Sequence, residues 1–218
     1  MRIRKKPWVR QELEECEFFI KNPCENIGKW HSKFKQKQPL HLELGCGKGK
    51  FISKLASQNE DINYIAIDIK SEMLGLTKRN IEKEYLERIK EINNILILSQ
   101  EIEIIQNMMN KKDVVERIYI NFCNPWPKPT HNKKRMTHPK QLEKYKIFLK
   151  KGGEIYFKTD DDDLFEKSVK YFEQEGFEII TKTYNLHEEE IWDNIQTEHE
   201  EMFSKEGTKI KALIAKLK

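Results

Sequence analysis

Short apolar runs alternate with longer amphipathic stretches between residues 40 and 160, and this alternation limits the possible folds more than any other feature of the sequence. The short runs are rich in Ile, Leu or Tyr and fit buried strands, whereas the longer stretches repeat apolar residues at helical spacing. Such alternation is typical of an α/β fold with a parallel sheet. At 218 residues the chain is long enough to bury a core of its own.

The pattern places each predicted element. Seven strands are predicted, at Leu40–Leu44, Asn63–Ile69, Asn94–Leu98, Arg117–Cys123, Glu154–Thr159, Phe177–Leu186 and Lys209–Leu217. Five helices are predicted, at Lys50–Gln58, Ser71–Lys90, Glu101–Asn110, Pro139–Lys150 and Asp163–Gln174. The fourth helix should stop at Lys150-Lys151-Gly152-Gly153, because basic residues followed by glycine end helices well. The last two strands should close one edge of the sheet in antiparallel pairing.

Positive charge is concentrated in two segments. The net charge is +4, but residues 1–10 carry +5, and residues 128–151 carry +8 from nine basic groups and one acidic group. The rest of the chain therefore sums to −9. Two basic patches on an acidic body are expected of a protein that grips a polyanion. On charge alone, solvated lysine-rich surface remains an open alternative.

The sequence gives no sign of a membrane span, a zinc site or a disulfide framework. No apolar run approaches the roughly 20 residues of a spanning helix, and the N-terminus lacks the apolar core of a signal peptide, so we expect a cytoplasmic protein. Its cysteines, Cys16, Cys24, Cys46 and Cys123, form no C-x-x-C pair. We expect reduced thiols, with Cys46 and Cys123 buried as small side chains.

A glycine-rich turn follows the first predicted strand, with the sequence Glu43-Leu44-Gly45-Cys46-Gly47-Lys48-Gly49. Its spacing differs from the G-x-G-x-x-G of dinucleotide sites. Asp68 ends the second strand, 21 residues after Gly47, where a carboxylate can accept both ribose hydroxyls of an adenosine. Glu101 follows the third strand and could reach an adenine amino group. S-adenosylmethionine contains an adenosine without pyrophosphate and an ammonium group that a carboxylate can bind, so it matches this set of residues. We predict that Gly45 and Gly47 let the backbone approach this cofactor. A tight strand-to-helix connection without a ligand is the simpler alternative.

The fourth predicted strand runs into Asn124-Pro125-Trp126-Pro127-Lys128, and the larger basic segment begins there. Ligands of open α/β sheets bind at the carboxyl ends of strands, which makes this turn a candidate reacting centre. Core packing of Trp126 in a proline-rich turn is the simpler alternative, but it does not explain why the strongest positive patch begins there.

At Asn121–Lys128 and at His131-Asn132-Lys133-Lys134-Arg135 the sequence resembles bacterial tRNA (guanine-N7-)-methyltransferases, whose pattern is N-F-x-D-P-W-P-K and then H-x-K-R-R. The resemblance continues, in the family's order, at Arg4–Trp8, Glu43–Gly49, Phe157–Asp160 and Asn194–Glu200. It spans essentially the whole chain. It implies a Rossmann-like class I methyltransferase with a mostly parallel seven-stranded sheet, helices on both faces and a C-terminal antiparallel strand. Residues 1–38 would be a basic N-terminal arm and helix, and residues 39–218 the methyltransferase domain.

The resemblance also implies roles for individual residues. The S-adenosylmethionine pocket would be lined by Glu43, Asp68, Glu101 and Asn124. The target nucleotide would be contacted by Lys128, Asp160, Thr197, Glu198, His199 and Glu200. From the charge pattern, we further predict that the N-terminal arm and the segment Lys128–Lys151, including Lys133, Lys134 and Arg135, hold the tRNA phosphates. Trp126 is a candidate stacking partner for the unstacked target base.

Physical chemistry refines some of these roles. The Asp160 carboxylate matches the ring N–H and amino group of guanine. Thr197 and Glu200 also fit a capping box, so helix initiation is open for them. Asp161–Asp163 should cap the following helix. No metal is expected to take part, and the enzyme would be a monomer or a homodimer.

One position departs from the family pattern, because this chain has Asn124 where the family has Asp. Nitrogen 7 of guanine carries a free lone pair and no proton, so its methylation needs alignment and charge stabilisation but no general base. We therefore predict that Asn124 serves as the catalytic residue with reduced efficiency. Two alternatives remain: a methyltransferase of exocyclic amino groups, whose N-P-P-Y block Asn124-Pro125-Trp126 also resembles, and an RNA-binding protein of this fold that has lost catalysis.

Overall fold

The computed structural model describes residues 7–189 and 194–218, and the chain divides into two compact units, Met1–Met109 and Asn110–Lys218. The strands are β1 Phe19–Ile20, β2 Leu40–Leu44, β3 Asn63–Asp68, β4 Ile95–Ser99, β5 Val115–Asn121, β6 Leu149–Thr159, β7 Phe177–Thr183 and β8 Lys211–Leu217. The α-helices are α1 Pro7–Glu14, α2 Lys50–Gln58, α3 Ser71–Glu87, α4 Pro139–Lys146, α5 Asp162–Gln174, α6 Leu186–Glu189 and α7 Glu198–Lys205. Short 3₁₀ helices span Pro23–Asn26, Trp30–Lys33, Ile102–Asn107 and Pro129–Lys134.

The first unit is built on four parallel strands in the order β1-β4-β3-β2. All five residues of β2 are buried, as are the first five of β3 and the first four of β4, which agrees with their continuous apolar runs. Leu44 pairs with Ile67 and Asp68 pairs with Ser99, so the carboxyl ends of these strands lie side by side. The turns after β2, β3 and β4 therefore meet at one edge of this unit.

Helix α1 packs on α3 through its apolar face. Val9 and Leu13 are buried, and Gly75 of α3 leaves room for them, because a Cβ there would lie 2.9 Å from the Val9 Cγ2 atom. The Arg79 guanidinium lies 3.6 Å from the centre of the Trp8 ring and also pairs with Glu12. Part of the predicted N-terminal segment is thus docked on the first unit, while residues 1–6 lie outside the described residues. The predicted boundary after residue 38 stays a prediction.

The second unit holds strands in the order β5-β6-β8-β7. β5 and β6 are parallel, and β8 runs antiparallel to both of its neighbours, β6 and β7. The predicted antiparallel closure by the last two strands is confirmed. The described residues contain eight strands rather than seven, and the additional one is the two-residue β1, which is too short to produce a recognisable pattern.

Two predicted helices differ most from the structure. The helix predicted over residues 139–150 ends at Lys146, and Lys150 to Gly153 lie in the start of β6. The chain becomes extended there because Leu149 pairs with Val115, and the register then shifts at a bulge. The helix predicted over residues 101–110 is a short, kinked 3₁₀ helix, Ile102–Asn107. Two further elements end earlier than predicted, because α3 stops at Glu87 rather than Lys90 and the strand predicted over Phe177–Leu186 stops at Thr183.

Two further observations concern the described helices and the side chains that could bind a metal ion. Within residues 7–189 and 194–218, none of the helices has the length and apolar character that a membrane span requires. The same residues contain no group of three or more His, Cys, Asp or Glu side chains placed to hold a metal ion.

Candidate active site

The turn Gly45–Gly49, here called the glycine loop, depends on its glycines for two different reasons. Gly45, Gly47 and Gly49 all have positive φ, at 78°, 56° and 73°, where other residues are strained. A Cβ on Gly49 would lie 2.3 Å from the Thr77 Cγ2 atom, and the Thr77 hydroxyl donates to the Gly47 carbonyl at 2.9 Å. A Cβ on Gly47 would meet no protein atom within 4 Å. The loop is therefore packed on α3 at Gly49 and open at Gly47.

Asp68 is joined directly to the glycine loop. Its Oδ2 atom accepts from the Gly47 backbone N–H at 2.9 Å, and its Oδ1 atom accepts from the Lys70 N–H at 2.8 Å. Burial raises the pKa of Asp68, and these two backbone hydrogen bonds oppose that rise. The structure thus places a partly buried carboxylate against the loop.

The other two carboxylates predicted for the cofactor pocket lie at neighbouring strand ends. Glu43 on β2 is 2% exposed. Burial raises the pKa of the Cys46 thiol well above its usual value, and the negative charges of Glu43 and Asp68 add to that effect. Glu101 is exposed and follows β4, two residues after Ser99, the partner of Asp68.

The second unit carries Asn124–Lys128, here called the reacting loop, after β5. Asn124 is exposed, and its Oδ1 atom accepts from the Trp126 N–H at 3.0 Å, which closes an Asx turn. Phe122 and Trp126 have positive φ, 52° and 45°, an uncommon conformation for such bulky residues. Strained backbone of this kind is concentrated at functional sites, where the surrounding structure holds it in place.

The basic cluster lies on and beside the 3₁₀ helix Pro129–Lys134. Lys128, Lys133 and Lys134 are exposed, and the Lys134 Nζ atom lies 5.0 Å from the centre of the Trp126 ring. The third predicted phosphate contact differs, because Arg135 is 1% exposed and its guanidinium pairs with Asp163 at 2.8 Å. Arg135 thus presents no surface to a phosphate in this conformation.

The carboxylates after β6 have distinct partners. Asp160 is partly exposed, and its backbone carbonyl accepts from the Lys211 Nζ atom at 2.9 Å. Asp161 caps α5 by accepting from the Leu164 N–H at 2.7 Å, as predicted, and Asp162 pairs with Lys211 at 2.6 Å. Of these four carboxylates, Asp160 is the one that is not used as a helix cap or in an ion pair in the described structure.

The segment Thr197–Glu200 divides between structural and exposed side chains. Thr197 and Glu200 form the predicted capping box of α7, with the Glu200 N–H donating to the Thr197 hydroxyl at 3.0 Å. Glu200 is 0% exposed and pairs with the buried Lys158 of β6 at 2.8 Å. His199 is exposed and stacks on Phe122 with ring centres 5.9 Å apart, while Glu198 is half-buried. His199 therefore connects α7 to the residues just before the reacting loop.

Comparison with known proteins identifies the family. A family model described as "Putative methyltransferase" matches residues 37–213. A Clostridium beijerinckii protein named tRNA (guanine-N(7)-)-methyltransferase is 60% identical over 215 residues, covering 99% of this chain and 98% of its own. The chain belongs to the tRNA (guanine-N(7)-)-methyltransferase family. A protein of the same name from Ruminiclostridium cellulolyticum is 60% identical and covers 100% of this chain and 93% of its own length. Another from Acetivibrio thermocellus is 53% identical and covers 100% of both chains.

Solved structures share the fold of this family member at low sequence identity. The 16S rRNA methyltransferase KamB superposes with a TM-score of 0.60 at 14% identity, covering 83% of this chain and 88% of its own. The aminoglycoside resistance methyltransferase NpmB1 gives a TM-score of 0.55 at 17% identity, covering 96% and 93%. These likenesses confirm the class I methyltransferase fold. Family and fold together imply that S-adenosylmethionine is the methyl donor. The backbone at Gly47, beside Asp68, is open to the approach of a ligand, because a side chain there would meet no protein atom within 4 Å.

Three positioning side chains of this methyltransferase were not predicted from its sequence. Thr77 holds the glycine loop, Lys211 holds the Asp160 carbonyl, and Lys158 holds Glu200. Lys158 also donates to the Asn194 side chain at 2.9 Å and to the Ile195 carbonyl at 3.2 Å. Lys158 could have been found from the sequence, because a lysine within an apolar strand, next to Phe157, is unusual. The sequence around Thr77 and Lys211 contains no comparable feature.

Proposed function

We propose that this chain transfers a methyl group from S-adenosylmethionine to ring nitrogen 7 of a guanosine in tRNA. The observation that carries this proposal is the 60% identity, over nearly both full lengths, to a protein named for that reaction. Such a reaction is expected in the cytoplasm, from a monomer or a homodimer without a metal ion.

Residues of the first unit would hold the cofactor. The open glycine loop at Gly45 and Gly47 would let the ligand approach the backbone, and Asp68 would accept the ribose hydroxyls. Glu43 would face the ammonium group and Glu101 the adenine amino group. Bound S-adenosylmethionine supplies an activated methyl group on a sulfonium.

Residues of the second unit would hold the target guanosine. Asp160, which no helix cap or ion pair engages, would accept hydrogen bonds from the guanine N1–H and amino group. Lys128 and the segment Thr197–Glu200 would contact the same nucleotide, with His199 and Glu198 reaching it from the exposed side of the capped helix. A target of this kind inside folded RNA has to be unstacked to be reached, and Trp126 would contact the unstacked base.

The chemistry at Asn124 would be electrostatic. Nitrogen 7 needs no base, so the chain has to align the purine, exclude water and accommodate the positive charge that develops on the ring. The Asn124 amide would face that charge through its carbonyl dipole. Because Asn124 also closes the Asx turn, it would fix the shape of the reacting loop at the same time.

The exposed lysines would bind the tRNA backbone. Lys133 and Lys134 are consecutive and both exposed, and each phosphate they neutralise should add about 0.7 to 0.9 to the slope of log affinity against log salt concentration. The basic N-terminal segment, residues 1–10, would add further contacts.

The decisive experiment incubates the full chain with labelled S-adenosylmethionine and unmodified tRNA transcripts, followed by nucleoside analysis. We expect 7-methylguanosine as the labelled product. Asp68→Asn should lose S-adenosylmethionine affinity, whereas Asp61→Asn, a change to an exposed carboxylate just before the same strand β3, should retain wild-type activity. Label in an exocyclic N-methyl nucleoside, or tRNA binding without any transfer, would refute the proposal.

A further inference from the structure

Arg135 differs from its neighbours in the basic cluster, although the sequence groups them together. Lys133 and Lys134 are exposed, whereas the Arg135 side chain is 1% exposed. Its backbone is held on both sides, because the Arg135 N–H donates to the Asn132 carbonyl and the His138 N–H donates to the Arg135 carbonyl, each at 3.0 Å. The local backbone therefore turns this cation inward.

The buried guanidinium has two partners. Its Nη2 atom donates to the Asp163 carboxylate at 2.8 Å and, over a longer 3.4 Å, to the Trp126 carbonyl. Lys167 and Arg135 together hold the pKa of Asp163 below its usual value. Within the described residues, the Arg135 Nε and Nη1 atoms are buried and donate to no acceptor. A buried cation with unused donors costs free energy, so packing stability alone does not explain its presence.

Trp126 is the residue that this guanidinium reaches, and it is strained. Its φ of 45° is unfavourable for a tryptophan, and both of its peptide groups are fixed from outside. The Asn124 side chain accepts from its N–H, and Arg135 donates to its carbonyl. Arg135 and Asn124 therefore hold opposite sides of the same strained residue in the reacting loop.

We propose that Arg135 is a positioning residue that holds the reacting loop, through Trp126, in the geometry needed for methyl transfer, and that it does not contact the tRNA backbone. Asp163, in the first turn of α5, orients the guanidinium. The inference rests on the proposed function, because it concerns the placement of Asn124.

The test compares four variants by single-turnover methylation at saturating tRNA and S-adenosylmethionine, together with the salt dependence of tRNA binding. Arg135→Gln should lower the single-turnover rate by about 10- to 100-fold, as expected when a reacting group is misplaced by about 1 Å. Its salt slope should equal that of the wild type. Lys133→Gln should instead lower the slope by about 0.7 to 0.9, as the loss of one phosphate contact requires.

Two exposed variants keep the test valid if Arg135→Gln folds poorly. Asp163→Asn removes the orienting carboxylate, whose side chain is 57% exposed, and should lower the single-turnover rate in the same direction by a smaller factor. Lys167→Gln removes the other cation paired with Asp163 and should leave the rate unchanged. Thermal melting of each variant establishes that the folded form is being assayed.

The outcomes separate the possibilities. A lower salt slope in Arg135→Gln, matching Lys133→Gln, would overturn the inference in favour of an RNA contact. A full single-turnover rate in both Arg135→Gln and Asp163→Asn would overturn it in favour of a purely structural residue. A wild-type protein that forms no 7-methylguanosine would overturn the proposed function instead.

Discussion

Replacing Asn124 by Asp tests how the developing positive charge on the purine is stabilised. The substitution preserves the shape of the side chain, and a carboxylate oxygen can accept from the Trp126 N–H as the amide oxygen does at 3.0 Å. The reacting loop should therefore keep its turn. What changes is that a dipole becomes a full negative charge.

The expected size of the rate increase follows from the exposure of Asn124. Two unit charges about 4 Å apart attract by about 1 kcal/mol in water and by about 4 kcal/mol at an effective dielectric constant of 20. Because Asn124 is exposed, the lower figure applies. A stabilisation of about 1 kcal/mol confined to the transition state corresponds to a rate increase of about fivefold.

The assay is single-turnover methylation of a tRNA transcript with both substrates saturating, so that only the transfer step is observed. Asn124→Asp should react about fivefold faster than the wild type. The gain should be constant from pH 6 to 8 and disappear as the pH falls through the carboxyl pKa, about 3.9 for an ordinary Asp, because only the ionised form attracts the purine. Asn124→Ala, which removes the acceptor for Trp126, should be slower than both. An unchanged or lower rate in Asn124→Asp would refute the electrostatic argument.

Three further predictions address other parts of the structure. Gly49→Ala would place a methyl group 2.3 Å from an α3 side chain and should lower the free energy of unfolding, measured by urea titration, by about 2 kcal/mol or more. Gly47→Ala should lower S-adenosylmethionine affinity more than it lowers stability. Equal effects of the two substitutions would contradict the description of the loop as packed at Gly49 and open at Gly47. Ile89→Asn should raise the melting temperature, because Ile89 has a φ of 56° and is 94% exposed, so about 1 kcal/mol of strain is relieved without lost burial. Lys158→Met should lower the free energy of unfolding by about 3 to 5 kcal/mol, because it leaves the buried Glu200 carboxylate without its lysine partner. In a double-mutant cycle, adding Glu200→Gln should recover much of this lost stability.

The α/β fold was predictable because its signals are local. The bounds of β2 and α2 are those that the sequence predicts, since a fully buried strand, a glycine turn and an amphipathic helix follow one another directly. The end of α4 was not predictable in this way. Tyr145, Phe148 and Leu149 are all buried, so helical spacing continues past Lys146, and only the pairing of Leu149 with the distant Val115 shows where the strand begins.

The candidate site was predictable in its residue types but not in their environments. Spacing alone placed Asp68 at the glycine loop, because the carboxyl ends of adjacent parallel strands meet. Charge alone grouped Arg135 with its lysine neighbours, because its ion-pair partner, Asp163, lies 28 residues further along the chain. Glu200 likewise depends on Lys158, 42 residues before it, which no local pattern connects to it.

The four cysteines differ in burial and in thiol pKa, which makes this protein suitable for site-specific labelling. Cys16 and Cys46 are buried, as predicted for Cys46, whereas Cys123 is half-buried rather than buried. Burial raises the pKa of Cys16 to about 11 and that of Cys123 to about 12, and it raises the pKa of Cys46 well above its usual value, so these three remain protonated at neutral pH. Cys24 is exposed in the 3₁₀ helix Pro23–Asn26. Because the thiolate is the nucleophile, a maleimide dye at neutral pH should attach at Cys24 in the native chain and report tRNA binding by fluorescence without any cysteine having been replaced.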